Sequence, residues 1–283
     1  MERNRKTSLV YITCAAALLA LLGAFFMFLG LSRDFTPSLG YFEKGSLPAI
    51  LLYATLTVGV GLGAFSWMYF HRTRPVQSSH EAPFCTKAAG AFLIAVLLWC
   101  SGEDLLHISR SLSHWGLVLI ADLFALLFIA SLACDMGPSS LRSGPLAAFS
   151  SFFPPFYTAA QLFLLYFDVT FATNSPIKII YELMYIAFMF TFTARAGLLL
   201  QRKSIYPRYV FSLICAVVLG GTVSVSALLC IFTGIPGHHL SLSRILLSLS
   251  ITVYALCQLF ALATENTEKE APTAENTKEE QYE

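Results

Sequence analysis

Long apolar runs with few charges alternate with short polar segments along this chain. Eight of these runs reach about the twenty residues that an α-helix needs to cross a bilayer. They lie at about residues 8–31, 47–70, 88–107, 115–134, 147–167, 177–200, 209–232 and 240–263. The pattern predicts an all-α, polytopic membrane bundle of eight transmembrane helices with short loops, occupying residues 1–263.

Two of the runs depart from a plain apolar span. The first follows the basic residues Arg3, Arg5 and Lys6, as the core of a signal peptide does. It is too long for that role and has no small-residue cleavage site, so we expect a retained helix. The fifth contains Pro154-Pro155, neither of which can donate a backbone hydrogen bond, so we expect a break in its first turns.

Glycines recur within the second run, in the segment Gly59-Val-Gly-Leu-Gly63. Such spacing also occurs in nucleotide-binding loops, but no strand precedes it and the segment lies inside an uncharged span. Small residues four positions apart let two membrane helices approach closely. The sequence therefore predicts a helix-packing face at Gly59 and Gly63.

The last segment, residues 264–283, is rich in glutamate and almost free of large apolar side chains. It cannot bury enough surface to fold, so we expect a disordered acidic tail. A solvated spacer is the simpler interpretation, and a binding segment for a cytoplasmic partner is the alternative.

Composition supports the membrane assignment. The chain is 56% hydrophobic and 12% charged, whereas soluble domains carry about 25% charged residues. A formal net charge of +1 gives no indication of nucleic-acid binding. The seven cysteines form no Cys-x-x-Cys pair and fall mostly in apolar runs, which favours small buried apolar residues. Nothing in the sequence requires a cofactor or a metal.

Basic residues are concentrated on one side of the predicted membrane. Most lysines and arginines lie before the first run and in alternate loops after it. The positive-inside tendency then places both termini in the cytoplasm. Because the chain also has no Asn-x-Ser/Thr acceptor for glycosylation, we expect the plasma membrane of a bacterium.

A group of ionisable residues marks the predicted outer end of the third span and the turn after it. The group consists of Glu103, Asp104, His107 and Arg110. Ionisable side chains at membrane depth are costly and usually functional. They either face a cavity or form a polar fringe at the interface, and the sequence leaves both open.

Further ionisable residues lie on the same predicted side. They are Asp122, Glu182, His238, His239 and Arg244. Asp122 lies about 10 Å inside the fourth span, too deep for its short side chain to reach water. We predict one outer pocket, shared by Glu103 and Asp122, that takes a proton, a cation or an amine-bearing ligand. The alternative is an ion pair of Asp122 with Arg110 or Arg244 that only joins helices. Arg195 lies near enough to the inner face to extend into water, so we assign it no special role.

Three function classes remain open. A transporter or a ligand sensor would use the acidic and histidine-containing pocket, and an accessory subunit would need no site. The third class is an intramembrane metal hydrolase, because the order of His107, Asp122 and His238 resembles that of the seven-helix, ceramidase-like hydrolases. Those enzymes have a His-x-x-x-His pair on a late helix, whereas His238 and His239 are adjacent. We therefore assign no family and favour transport or sensing.

Overall fold

A computed structural model describes residues 2–36, 40–71, 83–107, 115–137, 145–168, 175–200, 205–235 and 241–264. The side chains of residues 2–6, 107, 145, 148 and 264 are outside this description. The helices are α1 (Glu2–Arg33), α2 (Leu47–Phe70), α3 (Phe84–His107), α4 (Trp115–Met136), α5 (Pro145–Ser150), α6 (Phe153–Phe167), α7 (Pro176–Leu199), α8 (Tyr206–Thr233) and α9 (Leu242–Thr264). Two short strands, β1 (Phe35–Thr36) and β2 (Tyr41–Phe42), form an antiparallel hairpin between α1 and α2.

Seven of these helices are long and apolar enough to cross a membrane: α1, α2, α3, α4, α7, α8 and α9. The chain is therefore a multi-pass integral membrane protein, and the predicted all-α bundle is confirmed. Many large apolar side chains on the outside of the bundle are exposed, as expected of a surface that faces lipid. The hairpin is an addition that the apolar pattern did not predict.

The fifth predicted span is interrupted, as its two prolines suggested. Ser151 and Phe152 form a turn between α5 and α6, and Pro154 lies in the first turn of α6. Proline is tolerated there because the first amides of a helix have no partner inside the helix. With 15 residues, α6 is too short to cross alone, so α5 and α6 together take the place of one span.

Six helices pack in sequence into a closed ring. The order around the ring is α3, α4, α6, α7, α8 and α9, and α9 packs back against α3. Helices on opposite sides of this ring are bridged by side chains rather than by close backbone packing. The ring therefore has an interior, which is filled by charged and aromatic side chains.

Helix α8 is the most buried span, because α1 and α2 cover its outer face. A Cβ atom at Gly59 would lie 2.6 Å from Val218 of α8, and one at Gly63 would lie 2.9 Å from the Phe211 ring. A Cβ atom at Gly61 would meet nothing within 4 Å. The predicted packing face at Gly59 and Gly63 is confirmed.

Some sequence predictions fall outside the described residues. Residues 265–283 of the predicted tail are among them, as are Arg110, His238 and His239. His107 ends α3, but only its backbone is described. These predictions remain as stated.

Candidate functional site

Charged side chains meet at two levels inside the ring. We call the first group the Arg244 cluster, which consists of Arg244, Asp104, Gln161, Asp122 and Ser101. We call the second the Arg195 cluster, which consists of Arg195, Asp135, Tyr254 and Gln258. Each cluster is built from helices that lie apart in the sequence, so each depends on the closure of the ring.

In the Arg244 cluster, one guanidinium crosses the ring interior. Arg244 Nη2 lies 2.5 Å from Asp104 Oδ2, which joins the start of α9 to the end of α3. Arg244 Nη1 donates a hydrogen bond to Gln161 Oε1 on α6, a helix on the far side of the ring. The Arg244 side chain is 18% exposed and that of Asp104 is 20% exposed, so both are largely withdrawn from solvent.

The start of α9 is fixed against α3 by further polar contacts. The Cys100 thiol donates to the backbone carbonyl of Ser243, with sulfur and oxygen 3.4 Å apart. The hydroxyls of Ser241 and Ser243 are 2.8 Å apart, and Ser241 accepts a hydrogen bond from the Arg244 amide. These contacts orient Arg244 toward the interior.

Asp122 is the carboxylate of this cluster that has no matched cation among the described residues. Its residue is 8% exposed, and its Oδ2 atom has no hydrogen-bond partner within the described part of the chain. The Ser101 hydroxyl lies beside the Asp122 carboxylate and interacts with it. Neither Ser101 Oγ nor Asp122 Oδ2, however, has a hydrogen bond of acceptable geometry among the described residues. The charge of Asp104 repels an ionised Asp122, and the charge of Arg244 attracts it. A buried polar oxygen without a partner is costly, so Asp122 needs an explanation.

The Arg195 cluster lies at the opposite end of the ring interior. Arg195 Nη2 is 2.7 Å from Asp135 Oδ2, and Nη1 donates to the Tyr254 hydroxyl. The same guanidinium lies 5.5 Å from the centre of the Tyr254 ring. These residues come from α7, α4 and α9, so the contacts cross the interior rather than join ring neighbours.

Sequence reasoning missed this second cluster. It ended the fourth span at residue 134, whereas α4 continues to Met136 and carries Asp135 inside the bundle. It also left Arg195 without a role, whereas only 12% of that side chain is exposed. The available signal was that a single arginine interrupts an otherwise uncharged stretch of α7 and that a single aspartate follows the apolar run of α4.

A narrow pocket adjoins the Arg195 cluster. Thr86 and Lys87 at the start of α3 line it together with Gln258 of α9. The Gln258 side-chain nitrogen is buried and has no hydrogen-bond partner among the described residues. The space open to the centre of a water molecule is about 10 Å³, which is room for about one water. A water there would satisfy the Gln258 nitrogen.

Aromatic rings connect the two clusters. We call Tyr254, Phe192, Phe128 and Tyr157 the aromatic column. Their successive ring centres are 6.5 Å, 4.9 Å and 5.7 Å apart. Tyr254 contacts Arg195, and Tyr157 lies within electrostatic range of Arg244. All four residues are buried, so the interior is polar at both ends and aromatic between them.

The structure brings only part of the predicted site together. Asp104, Asp122 and Arg244 meet, and Asp104, rather than Glu103, is the carboxylate whose charge acts on Asp122. Glu103 is partly buried beside this cluster, and its charge reaches Cys100. Glu182 is partly buried on α7 and belongs to neither cluster.

Two of the predicted partners of Asp122 remain predictions, because Arg110 lies outside the described residues and no contact tests the pocket shared with Glu103. Neighbouring residues on a helix point about 100° apart, which separates the directions of Glu103 and Asp104. Arg244 forms its ion pair with Asp104, so it is not the direct partner of Asp122 that one alternative required. Across the described residues, no three His, Cys, Asp or Glu side chains converge as a metal site.

No protein-family model, curated protein or solved structure matches this chain.

Proposed function

We propose that the protein is a proton-coupled transporter of the bacterial plasma membrane, with the interior of the ring as its pathway. The observation that supports this proposal is Asp122, a buried carboxylate inside a membrane span for which the described residues supply no matched cation. In this proposal Asp122 is the group that takes up and releases the proton. The basic residues of the loops support a proposed orientation with both termini in the cytoplasm and the Arg244 cluster on the outer side.

The charges of the two clusters do not balance. Asp104 and Asp135 each have an arginine at ion-pair distance, and both arginines have a second partner as well. Asp122 is the third carboxylate of the two clusters, and it forms no ion pair with the described residues. An ionised carboxylate near another carboxylate in low dielectric is costly, so Asp122 favours a bound proton or cation. A proton requires the least space, and the interior is closely filled.

The two ion pairs fit the ends of a closed pathway. Asp104–Arg244 closes the ring interior at one level and Asp135–Arg195 closes it at the other, with the aromatic column between them. The two charges of an ion pair can separate and re-form when water enters, because they can exchange each other for water. Apolar side chains cannot exchange their contacts for water in this way. We interpret the arrangement as an occluded state in which both ends are shut. Transport then requires that each pair opens in turn.

A ligand sensor could use the same groups, but it would carry no net charge across the membrane. An accessory subunit would need the ion pairs only as links between helices. Both alternatives predict that Asp122 can be made neutral without loss of a transport-related signal. A measurement of charge movement therefore separates the proposal from them.

The experiment is electrical recording from proteoliposomes on a solid support, with a step in pH as the only stimulus. If Asp122 binds a proton and the ring then reorients, the wild-type protein gives a transient current. Asp122→Asn should abolish this current. Glu182→Gln is the matched control, because it neutralises an acid of the same bundle outside both clusters, and it should retain the current. A wild-type protein without current, or an Asp122→Asn variant with the full current, would overturn the proposal.

A further inference from the structure

We infer that Cys85 and Cys257 form a redox-sensitive modification site, at which oxidation joins α3 to α9 by a disulfide bond. The site goes beyond the proposed function, and formation of the bond does not depend on it. It is supported by a contact between the two thiols along the seam where α9 packs against α3 and closes the ring.

The two cysteines face each other across this seam. The Cys85 and Cys257 side chains interact thiol to thiol, as a hydrogen-bonding pair. Their neighbours in the sequence, Thr86 and Gln258, both line the pocket beside the Arg195 cluster. The start of α3 and the last turns of α9 therefore meet at the position of the two thiols.

The packing of α3 against α9 supports this contact independently. The Cys100 thiol donates to the backbone carbonyl of Ser243, which fixes the alignment of the two helices at the other end of the seam. From that point, the two paired thiols lie about 21–23 Å away along α3 and along α9, at 1.5 Å per residue. Between the two points, a Cβ atom at Gly90 would lie 3.8 Å from the Tyr254 ring. The antiparallel helices thus bring both thiols to the same level.

The exposure of the two side chains assigns each a part in the reaction. Cys85 is exposed and is the second residue of α3, whereas Cys257 is partly buried. The rate of exchange between a thiol and a disulfide depends on access to the attacking thiolate. Cys85 is therefore the thiol that reacts first, and Cys257 is the thiol that completes the bond.

The oxidant of the reaction is a low-molecular-weight disulfide. The Cys85 thiolate attacks one of its sulfur atoms and displaces the first thiolate, which leaves a mixed disulfide on Cys85. The Cys257 thiolate then attacks the Cys85 sulfur and displaces the second thiolate. The protein loses two protons and two electrons, and the reagent becomes two free thiols. The two protein sulfurs close from hydrogen-bonding contact to about 2.05 Å.

A metal ion is the other common ligand of paired thiols. Structural zinc sites have four protein ligands. Among the residues that the structure describes, no three His, Cys, Asp or Glu side chains converge in this way. Two thiols in contact without further ligands favour a disulfide.

The bond would act on the inner end of the proposed pathway. In the proposed orientation this end faces the cytoplasm, where thiols are kept reduced, so the bond would form only under oxidising conditions. It would fix α3 against α9 beside the Asp135–Arg195 pair, at the level that must open during transport. This consequence, unlike the bond itself, rests on the proposed function.

The test of the site uses the purified full-length protein in detergent, with oxidised glutathione as the reagent. After the reaction the protein is unfolded, alkylated and analysed by mass spectrometry. We expect the wild type to lose two free thiols together and to give a peptide that links Cys85 to Cys257. Dithiothreitol should restore both thiols.

Two substitutions check the order of the steps. Cys257→Ser should retain one glutathione on Cys85, because no second thiol is present to displace it. Cys134→Ser is the matched control, since it removes another partly buried thiol near the inner end of the bundle and should leave the linked peptide unchanged. A wild type that keeps both thiols, that retains glutathione on Cys85 without the link, or that links either thiol elsewhere would overturn the site.

The current after a pH step tests the consequence for transport. The oxidised wild type should lose the current, and dithiothreitol should restore it. Cys85→Ser should keep the current in the presence of the same oxidant. A linked protein with the full current overturns the block of transport and leaves the disulfide site standing. A reduced wild type without current overturns the proposed function and the block with it, whereas the linked peptide would still establish the site.

Discussion

At the scale of single residues, the two clusters contain two arginines with carboxylate partners and, within the described part of the chain, one aspartate without an ion-pair partner. Arg195 and Asp135 are 12% and 10% exposed, and each is the charge partner of the other. Removal of one partner from a buried pair leaves the other charge uncompensated, which is more costly than replacement of both by apolar groups.

We therefore predict opposite results for single and double changes at this pair. Arg195→Met or Asp135→Asn alone should lower the free energy of unfolding by about 3–5 kcal/mol. Arg195→Met combined with Asp135→Leu should recover most of that loss. The measurement is a double-mutant cycle on the purified protein in mixed micelles. Single variants within about 1 kcal/mol of the wild type would show that water already screens the pair.

Asp122 should behave differently in the same assay. Asp122→Asn removes no ion pair, and its Oδ2 atom makes no hydrogen bond with the described residues. We expect the free energy of unfolding to change by less than about 1 kcal/mol, while the proton-dependent current is lost. A loss of several kcal/mol would show instead that Asp122 stabilises the bundle as a structural partner.

The sequence could identify Asp104, Asp122 and Arg244 because charges within apolar runs are conspicuous. It could not pair them, since pairing depends on how each helix is rotated and on which helices become neighbours. It also overlooked Asp135, because the predicted fourth span ended at residue 134 and so left that carboxylate in a loop, one residue outside the helix. The roles of His107, His238 and His239 in a site stay predictions.

At the scale of helices, α8 organises the packing because other helices cover it on both sides. Its contact with α2 depends on small residues, and the sequence predicted a packing face at Gly59 and Gly63 from glycine spacing, without naming the partner helix. The interruption between α5 and α6 was predictable as well, since proline restricts the backbone locally. The order of helices around the ring was not predictable, because the ring is closed by a contact between α9 and α3, two helices that lie far apart in the sequence.

The contact between α2 and α8 gives a prediction with an internal control. Gly59→Ala would place a Cβ atom 2.6 Å from Val218, so the helices must separate or distort. We expect a loss of about 1–3 kcal/mol, measured as a lower thermal midpoint in detergent. Gly61→Ala, two residues away with nothing within 4 Å, should leave the midpoint nearly unchanged. Equal effects of the two substitutions would contradict the packing that the structure shows.

At the scale of the whole molecule, the contacts define which helix ends lie together. Asp104 near the end of α3 meets Arg244 near the start of α9, while Asp135 near the end of α4 meets Arg195 near the end of α7. Successive spans therefore alternate in direction, with α5 and α6 counted as one. An even number of spans places both termini on the same side.

We predict from the basic residues of the loops that this side is the cytoplasm, which is open to a direct test. Reporter fusions after Gln201 and after Ala263 should both show cytoplasmic activity, because an even number of spans precedes each point. A periplasmic result at the second point would mean that one span is wrong. The interrupted α5–α6 segment would then be the first candidate.

If the ring interior opens to water during function, the accessibility of the Cys100 thiol should report that opening directly. Cys100 lies beside the Arg244 cluster and is 2% exposed; Cys215, 7% exposed, lies against Gly63 of α2 on the outer face of α8. Two variants, each retaining one of these cysteines, are treated with a membrane-impermeant methanethiosulfonate that carries a trimethylammonium group. The account predicts that Cys100 is modified, at a rate that changes with pH, while Cys215 stays protected. Equal protection of both thiols at every pH would contradict it, because the interior would then be a permanently closed core whose charges only join helices.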